Sequence, residues 1–313
     1  MQRAIEIAER GRGKVQPNPL VGCVLVRDGK IIAEGWHGNI GGFHAEQAAI
    51  ADAEERGIAT SGSTAYVTLE PCNHHGRTPP CTEALLWAGV ERVIVGALDP
   101  NPTVRGGGLS ALRDVGVSVK NGILEKECKH QMREFIHWCE HRKPFVTLKA
   151  AIDARGRVDC DKEEPSVRFT SPSSIEKSHL LRSENMGILV GVDTVIRDDP
   201  VLTARNVGAQ IQPTRIVIDP LGRMPKDCKL LNDGATKTVV IQSRNSEMND
   251  LDHVERYVIP SVNDDIDVNR ILQLLGDLGI QSIIVEGGPS TWRRFIEHDA
   301  VDAAILIQSP KAV

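Results

Sequence analysis

The chain has 313 residues, more than one ordinary hydrophobic core needs, so two domains are expected. Hydrophobic residues make up 41% and charged residues 25%, a globular mixture. No apolar run reaches the roughly 18 residues of a membrane span, and the charged start MQRAIEIAERGRGK lacks the apolar core of an export signal. A formal net charge of −5 argues against a nucleic-acid partner, yet a few well-placed arginines could still hold a small anionic ligand.

The first half alternates strand-like and helix-like stretches. After an opening helix, residues 20–26 and 31–37 flank an Asp28-Gly29 turn and predict a β-hairpin. Residues 44–56, rich in Ala and Glu and closed by Gly57, predict a helix. A strand over 66–69, a helix over 82–88 ending at Gly89 and a strand over 92–98 follow, and segments 109–114 and 117–119 continue the alternation. This pattern implies a sheet covered by helices. The polar stretch EHRKP, residues 140–144, marks a domain boundary, giving domains 1–143 and 144–313. The second half restarts with Val/Ile-rich runs at 145–148, 187–192, 215–218, 238–241 and 282–285, again an α/β pattern.

The seven cysteines (23, 72, 81, 128, 139, 160 and 228) are irregularly spaced and read as reduced thiols and metal ligands, with the cytoplasm as the expected compartment. Three pieces of sequence converge on a metal. His44-Ala45-Glu46 opens a helix, Leu69-Glu70-Pro71-Cys72 follows a strand, and Pro79-Pro80-Cys81 opens another helix. One imidazole and two thiolates suit a catalytic zinc with its fourth position kept for water, whose pKa such a metal brings towards neutrality. Glu46 is then the candidate proton shuttle. Residues i and i+2 point to opposite sides in mid-helix, so His44 and Glu46 can share a site only at the helix start. Cys72 and Cys81 are both expected at or near helix starts, which favour thiolates. Singly, an H-x-E or a pair of cysteines is uninformative; together and in this order they match the zinc-deaminase signature.

Eight residues separate the two cysteines here, where most cytidine deaminases have two. The stretch LEPCNHHGRTPPC, with PNPLVGCV at 17–24 and ALDPNPTVRGGG at 97–108, closely resembles the bifunctional deaminase–reductases of riboflavin biosynthesis, and the resemblance spans essentially the whole chain. It implies an N-terminal cytidine-deaminase-like three-layer domain followed by a dihydrofolate-reductase-like domain. It also implies deamination at C2 of 2,5-diamino-6-ribosylamino-4(3H)-pyrimidinone 5′-phosphate, then NADPH-dependent reduction of the ribosyl group to ribityl. By the same resemblance His44, Cys72 and Cys81 bind zinc, Glu46 moves protons, and Asn18, His74, Asp99 and Asn101 line the deaminase pocket. Asn and Asp suit the amide edge of a pyrimidine.

The family's V-x-G-K/R-G segment is here Val104-Arg105-Gly106-Gly107-Gly108, with Gly107 in the basic position and Arg105 two residues earlier. In the second half, residues 191–205 (GVDTVIRDDPVLTAR) resemble the family's G-x-x-T-V-x-x-D-D-P-x-L-T-x-R, and residues 283–290 (IIVEGGPS) form a strand, a glycine turn and a helix start able to hold phosphate. The resemblance places Ala151, Arg168, Thr194, Asp198 and Gly288 at the NADPH, and Ser166, Arg182, Leu202, Arg205 and Glu286 at the reductase substrate. Two arginines and a serine suit a 5′-phosphate. Two departures accompany it: Arg155 replaces the acid of the family's S-L-D-G segment, and the chain stops at Val313, where the family continues into more sheet. The C-terminal fold is therefore expected to be incomplete, with an unpaired sheet edge. Three alternatives stay open: a deaminase with a degenerate or truncated reductase domain, a deaminase of free nucleosides or of RNA bases, and a zinc-stabilised scaffold with His74 or His75 as a fourth ligand. Assembly as a homo-oligomer is expected from the resemblance, with a small pyrimidine nucleotide as partner and no nucleic acid or membrane.

Overall fold

The computed structural model describes residues 1–74, 79–101, 105–158, 170–244, 251–261 and 265–310. The chain divides into two compact units, Met1–His141 and Arg142–Val313.

The first unit contains α1 (Gln2–Ala8), β1 (Gly22–Arg27), β2 (Lys30–Trp36), α2 (Ala45–Glu55), β3 (Thr64–Leu69), α3 (Cys81–Trp87), β4 (Arg92–Ala97), α4 (Gly107–Asp114), β5 (Ser118–Asn121), α5 (Glu125–Gln131) and α6 (Arg133–His141). Its five strands run in the order β2-β1-β3-β4-β5. β1 is antiparallel to both its neighbours, and β3, β4 and β5 are parallel. Alternation along β1 builds three layers. Cys23 and Leu25 enter a core shared with Ala45, Ala49 and Ala53 of α2, Leu85 of α3 and Leu109 and Leu112 of α4, whereas Val24 packs against Ala4 and Ile7 of α1 on the other face. The alanine stripe of α2 lets that helix sit tightly on β2: a Cβ on Gly35 would lie 2.1 Å from the Ala49 nitrogen.

Because β1 is antiparallel to β2 and to β3, strands β2, β3 and β4 share one direction, and the chain leaves all three at a single edge of the sheet. That edge is where an open α/β sheet places a ligand site.

The second unit contains β6 (Phe145–Ile152), α7 (Pro172–Ser183), β7 (Gly187–Gly191), α8 (Val192–Asp198), β8 (Thr214–Ile218), α9 (Lys229–Asn232), β9 (Thr238–Gln242), β10 (Val254–Val258), α10 (Val268–Asp277), β11 (Ser282–Val285), α11 (Pro289–Glu297) and β12 (Ala303–Gln308). Its seven strands are all parallel, in the order β10-β9-β8-β7-β11-β6-β12. The central strands are apolar on both faces, as a covered parallel sheet requires. Leu189, Ile216, Val239 and Ile283 face the core built with α10 and α11, and Ile188, Val217, Val240 and Ile284 face the core built with α8 and α9. β7 is followed by β8 on one side while β11 is followed by β12 on the other, so connections diverge between the adjacent strands β7 and β11. Their carboxyl ends form the crevice in which a doubly wound sheet takes nucleotide ligands. β12 forms one edge of the sheet and exposes Leu306.

Candidate active sites

At the shared edge of the first sheet, three ligand atoms meet. His44, Cys72 and Cys81 place theirs within 4.8 Å of one another. His44 Nδ1 lies 3.3 Å from Cys81 Sγ and 3.6 Å from Cys72 Sγ. A tetrahedral zinc with Zn–S near 2.3 Å and Zn–N near 2.0–2.1 Å needs N···S separations of about 3.6 Å, so the donors fit this ion. Three ligands come together among the described residues, the number that leaves a catalytic position open.

His44 is the N-cap of α2, with extended backbone (φ −67°, ψ 162°), and Glu46 lies inside the first turn. This removes the periodicity conflict, since the imidazole projects from outside the helix. Gln47 ties the ligand segments together: its Oε1 accepts from the His44 backbone N–H (3.3 Å) and its Nε2 donates to the Pro79 carbonyl (3.0 Å).

Cys81 is the first residue of α3, as the sequence suggests. Cys72 is not at a helix start; it lies in the loop after β3. Its sulfur nonetheless accepts the Cys81 backbone N–H (3.4 Å), so the N-terminus of α3 serves both thiols. A hydrogen bond from the Cys81 thiol, then the nearby His44, brings Cys72 down to about 4, while the same shared proton and burial push Cys81 up. The two sulfurs and the imidazole are thus close enough to share a proton, and they would hold a zinc ion in its place. Asn73 braces the loop by accepting the Thr82 hydroxyl (2.8 Å).

Glu46 is 3% exposed. Burial, followed by the Cys72 charge, pushes its carboxyl up to about 7, a value suited to both taking and giving a proton near neutrality.

The pocket residues come from separate segments. Asn18 Nδ2 lies 3.0 Å from His37 Nε2, and His37 Nδ1 lies 2.9 Å from the Phe43 carbonyl. A carbonyl only accepts, so Nδ1 carries the proton and Nε2 accepts from Asn18. The His37 ring stands edge-on to His44, with centroids 5.7 Å apart. Asp99 follows β4, and its Oδ1 accepts the Asn101 N–H (2.8 Å). Burial raises the Asp99 pKa and the charge on Glu70 adds to this, while the Asn101 bond and His74 act against it. His74 lies in the loop after β3, two residues beyond Cys72, and its positive charge acts on Asp99. Gly107, in the family's basic position, is exposed, and a side chain there would meet open space. His37, Gln47 and Glu70 were missed by sequence reasoning, because nothing in their local spacing marks them.

In the second unit Thr194 and Asp198 lie on α8, directly after β7, and Gly288 is the N-cap of α11, directly after β11. Thr194 and Gly288 thus lie at the starts of the helices that follow the two diverging strands, and Asp198 lies at the far end of α8. Gly191, which ends β7, and Gly287, two residues past β11, both abut Thr291, whereas a Cβ on Gly288 would enter open space beside a helix start without side-chain cap. An uncapped helix start bordering open space fits a cofactor phosphate. Ala151 lies near the end of β6. Arg182 is engaged: its Nε and Nη2 donate to Glu286 at 2.8 Å each, its Nη1 donates to the Thr203 carbonyl at 3.2 Å, and Lys149 Nζ is 3.6 Å from the same carboxylate. Arg205 Nη1 donates to the Thr203 hydroxyl (2.8 Å). Leu202 is buried in the core with α8 and α9 at φ 49°, so its side chain packs against apolar neighbours. Ser166 and Arg168 lie outside the described residues, as does His75.

Arg155 acquires a physical reading. The turn after β6 is held by Asp153, which is fully buried and accepts from the backbone N–H groups of Arg155 and Arg157 (2.8 Å each) and from the Arg157 guanidinium. An acid two residues before Arg155 holds this turn, and Arg155 is exposed.

A His/Cys/Cys metal centre beside a buried glutamate, together with a parallel-sheet crevice in a second unit, defines a zinc deaminase carried on one chain with a nucleotide-cofactor reductase. Residues 1–97 match the family described as cytidine and deoxycytidylate deaminase zinc-binding region, and residues 144–313 match the RibD C-terminal domain. The riboflavin biosynthesis protein RibD of Actinobacillus pleuropneumoniae is 40% identical over 100% of this chain and 83% of its own length. That of Escherichia coli is 37% identical over 99% of this chain and 87% of its own. Among solved structures, the diaminohydroxyphosphoribosylaminopyrimidine deaminase/5-amino-6-(5-phosphoribosylamino)uracil reductase of Thermotoga maritima superposes with a TM-score of 0.90 at 37% identity, covering 100% of this chain and 86% of that one. The chain belongs to the RibD family of bifunctional deaminase–reductases of riboflavin biosynthesis. Its first unit uses zinc and its second NADPH.

Proposed function

We propose that the first unit hydrolyses the 2-amino group of 2,5-diamino-6-ribosylamino-4(3H)-pyrimidinone 5′-phosphate and that the second reduces the ribosyl group of the product to ribityl. The observation that carries the reading is the meeting of His44, Cys72 and Cys81 beside a buried Glu46. His44, Cys72 and Cys81 hold the zinc, which when bound supplies Lewis-acid activation of water. Glu46 accepts a proton from the attacking water and returns it to the departing amine, which leaves as ammonia. Asn18, held by His37, and Asp99 and Asn101 offer the donors and acceptors that orient a pyrimidine's amide edge, with His74 as a further pocket residue.

In the second unit Ala151, Thr194, Asp198 and Gly288, with Arg168, receive NADPH, and Arg182, Leu202, Arg205 and Glu286, with Ser166, form the substrate side. The position of Thr194 in the first turn of the helix after β7, and of Gly288 at the start of the helix after β11, supports this assignment. Reduced thiols at the metal centre suit a cytoplasmic setting. Exposed Leu306 on the edge strand β12 suits assembly with a second copy.

The test is ammonia release from the diaminopyrimidine nucleotide by the native protein and by Glu46→Gln. Turnover by the variant should fall about 10²- to 10⁴-fold, with one zinc per chain retained. Full turnover by Glu46→Gln, or preference for cytidine over the nucleotide, refutes the reading.

A further inference from the structure

Glu70 is a buried carboxylate, 4% exposed, that none of the steps above employs. It follows the last residue of β3 and precedes Cys72 by two positions. Its backbone N–H donates to the Ala97 carbonyl (2.9 Å), extending the β3–β4 pairing. The carboxylate accepts four backbone N–H groups from a different stretch of chain. Oε2 takes Asp99 (3.2 Å) and Gly106 (2.9 Å), and Oε1 takes Gly108 (3.1 Å) and Leu109 (3.3 Å).

These four donors are two ends of one loop. Asp99 N–H opens the segment that carries Asp99 and Asn101, and the other three belong to the start of α4. The N-cap of α4 is Gly106, in the left-handed region at φ 79° and without a side chain to cap the first turn. Glu70 supplies that cap from outside the helix, where a negative charge also meets the positive end of the helix dipole. Gly108 closes the fit: a Cβ there would sit 2.0 Å from the carbonyl oxygen of Pro71, so the first turn of α4 rests directly on the residue before Cys72.

We propose that Glu70 is a positioning residue of the deaminase reaction, setting the Asp99–Asn101 loop at a fixed distance from the metal ligand Cys72. The proposal rests on the reading that Asp99 and Asn101 face the pyrimidine. The segment that carries a ligand of the reacting centre thereby also fixes the groups that read the substrate. A charged acceptor with four backbone donors ties the loop to the segment of Cys72, whereas the Asp99–Asn101 and Arg105–Asn101 bonds lie within the loop itself.

In Glu70→Gln one acceptor oxygen becomes an NH₂ that faces N–H groups, breaking two of the four bonds on either side. The full-length protein is compared with this variant in zinc content, the absorption spectrum of the cobalt-substituted protein, hydrogen exchange, and deamination of the diaminopyrimidine nucleotide. The expected result is one metal per chain and an unchanged cobalt spectrum, faster exchange at Asp99, Gly106, Gly108 and Leu109 only, and a KM raised at least tenfold with kcat within about threefold. Loss of metal in step with activity, or a fall in kcat at constant KM, overturns the proposal, because a merely structural strut lowers the active fraction without changing substrate affinity. Unchanged exchange and unchanged KM also overturn it. Glu70→Asp keeps the charge and shortens the reach by one carbon, and it carries the same test if the amide variant does not fold. Failure of the native protein to deaminate the nucleotide would refute the pyrimidine reading instead, and exchange at Asp99 and α4 would still report on the clamp.

Discussion

Replacing Glu286 by Gln tests the energetics of the second unit most sharply. The carboxylate sits 6% exposed at the end of β11, with two 2.8 Å hydrogen bonds from Arg182 and the Lys149 ammonium 3.6 Å away. Burial alone would raise its pKa. The Arg182 guanidinium, aided by Lys149, outweighs that and holds it at about 2. Against the ordinary value of 4.5, this difference is worth about 3 kcal/mol. The folded pKa lies below the unfolded one, so the stabilisation is complete above pH 4.5 and disappears as pH falls through 2. At pH 3 about 1 kcal/mol of it remains. Glu286→Gln leaves two partly buried cations without their buried counter-charge and should cost about 3–5 kcal/mol at pH 7. The assay is hydrogen exchange of Ser282–Val285, corrected for intrinsic rates, at pH 7 and pH 3. The gap between native and variant proteins should shrink by about 2 kcal/mol on acidification. A gap below about 1 kcal/mol at pH 7, or one independent of pH, refutes the reasoning.

Arg215 is fully buried and donates to Asp233, to the Thr238 hydroxyl and to the carbonyls of Leu230 and Thr236. Arg215→Lys cannot reproduce this fork and should lower stability by about 3 kcal/mol; an unchanged urea midpoint counts against that. Gly107→Lys should be accommodated in open space at little cost in stability, the charge at the positive end of α4 offsetting any gain from helix propensity, and should lower KM for the phosphorylated substrate but not for its nucleoside. An equal effect on both removes Gly107 from phosphate recognition. Chelation of zinc should abolish ammonia release and leave NADPH oxidation with deaminated substrate intact. After chelation, alkylation followed by mass spectrometry should find Cys72, held at about 4, modified before buried Cys81.

Much of the fold was legible because its strands are short apolar runs bounded by turn residues. The hairpin expected at 20–37 is β1 and β2, and the runs at 187–192, 215–218 and 282–285 are β7, β8 and β11. β10 carried no comparable signal: its sequence VERYV is only half-buried at the edge of the sheet, so its pattern is mixed. Nor did spacing reveal that β11 inserts between β6 and β7, since strand order follows from packing of remote segments. At the metal centre the ligand types were readable, yet Cys72 was expected at a helix start and instead borrows the helix of Cys81. Glu70 and Gln47 escaped notice because they bind backbone groups far along the chain, and a backbone N–H has no sequence signature.

The amino-acid sequence by itself determined the chemical identity of the donors, an imidazole, two thiols and a carboxyl, and the type of most elements, because side-chain chemistry and hydrophobic period are local properties. Tertiary structure alone decided that β2, β3 and β4 discharge their loops at one edge, that Glu46 is dry enough to sit near 7, and that Asp153 takes over the turn from which Arg155 points outward. Distance and burial depend on which remote segments are pressed together, and pKa follows from both.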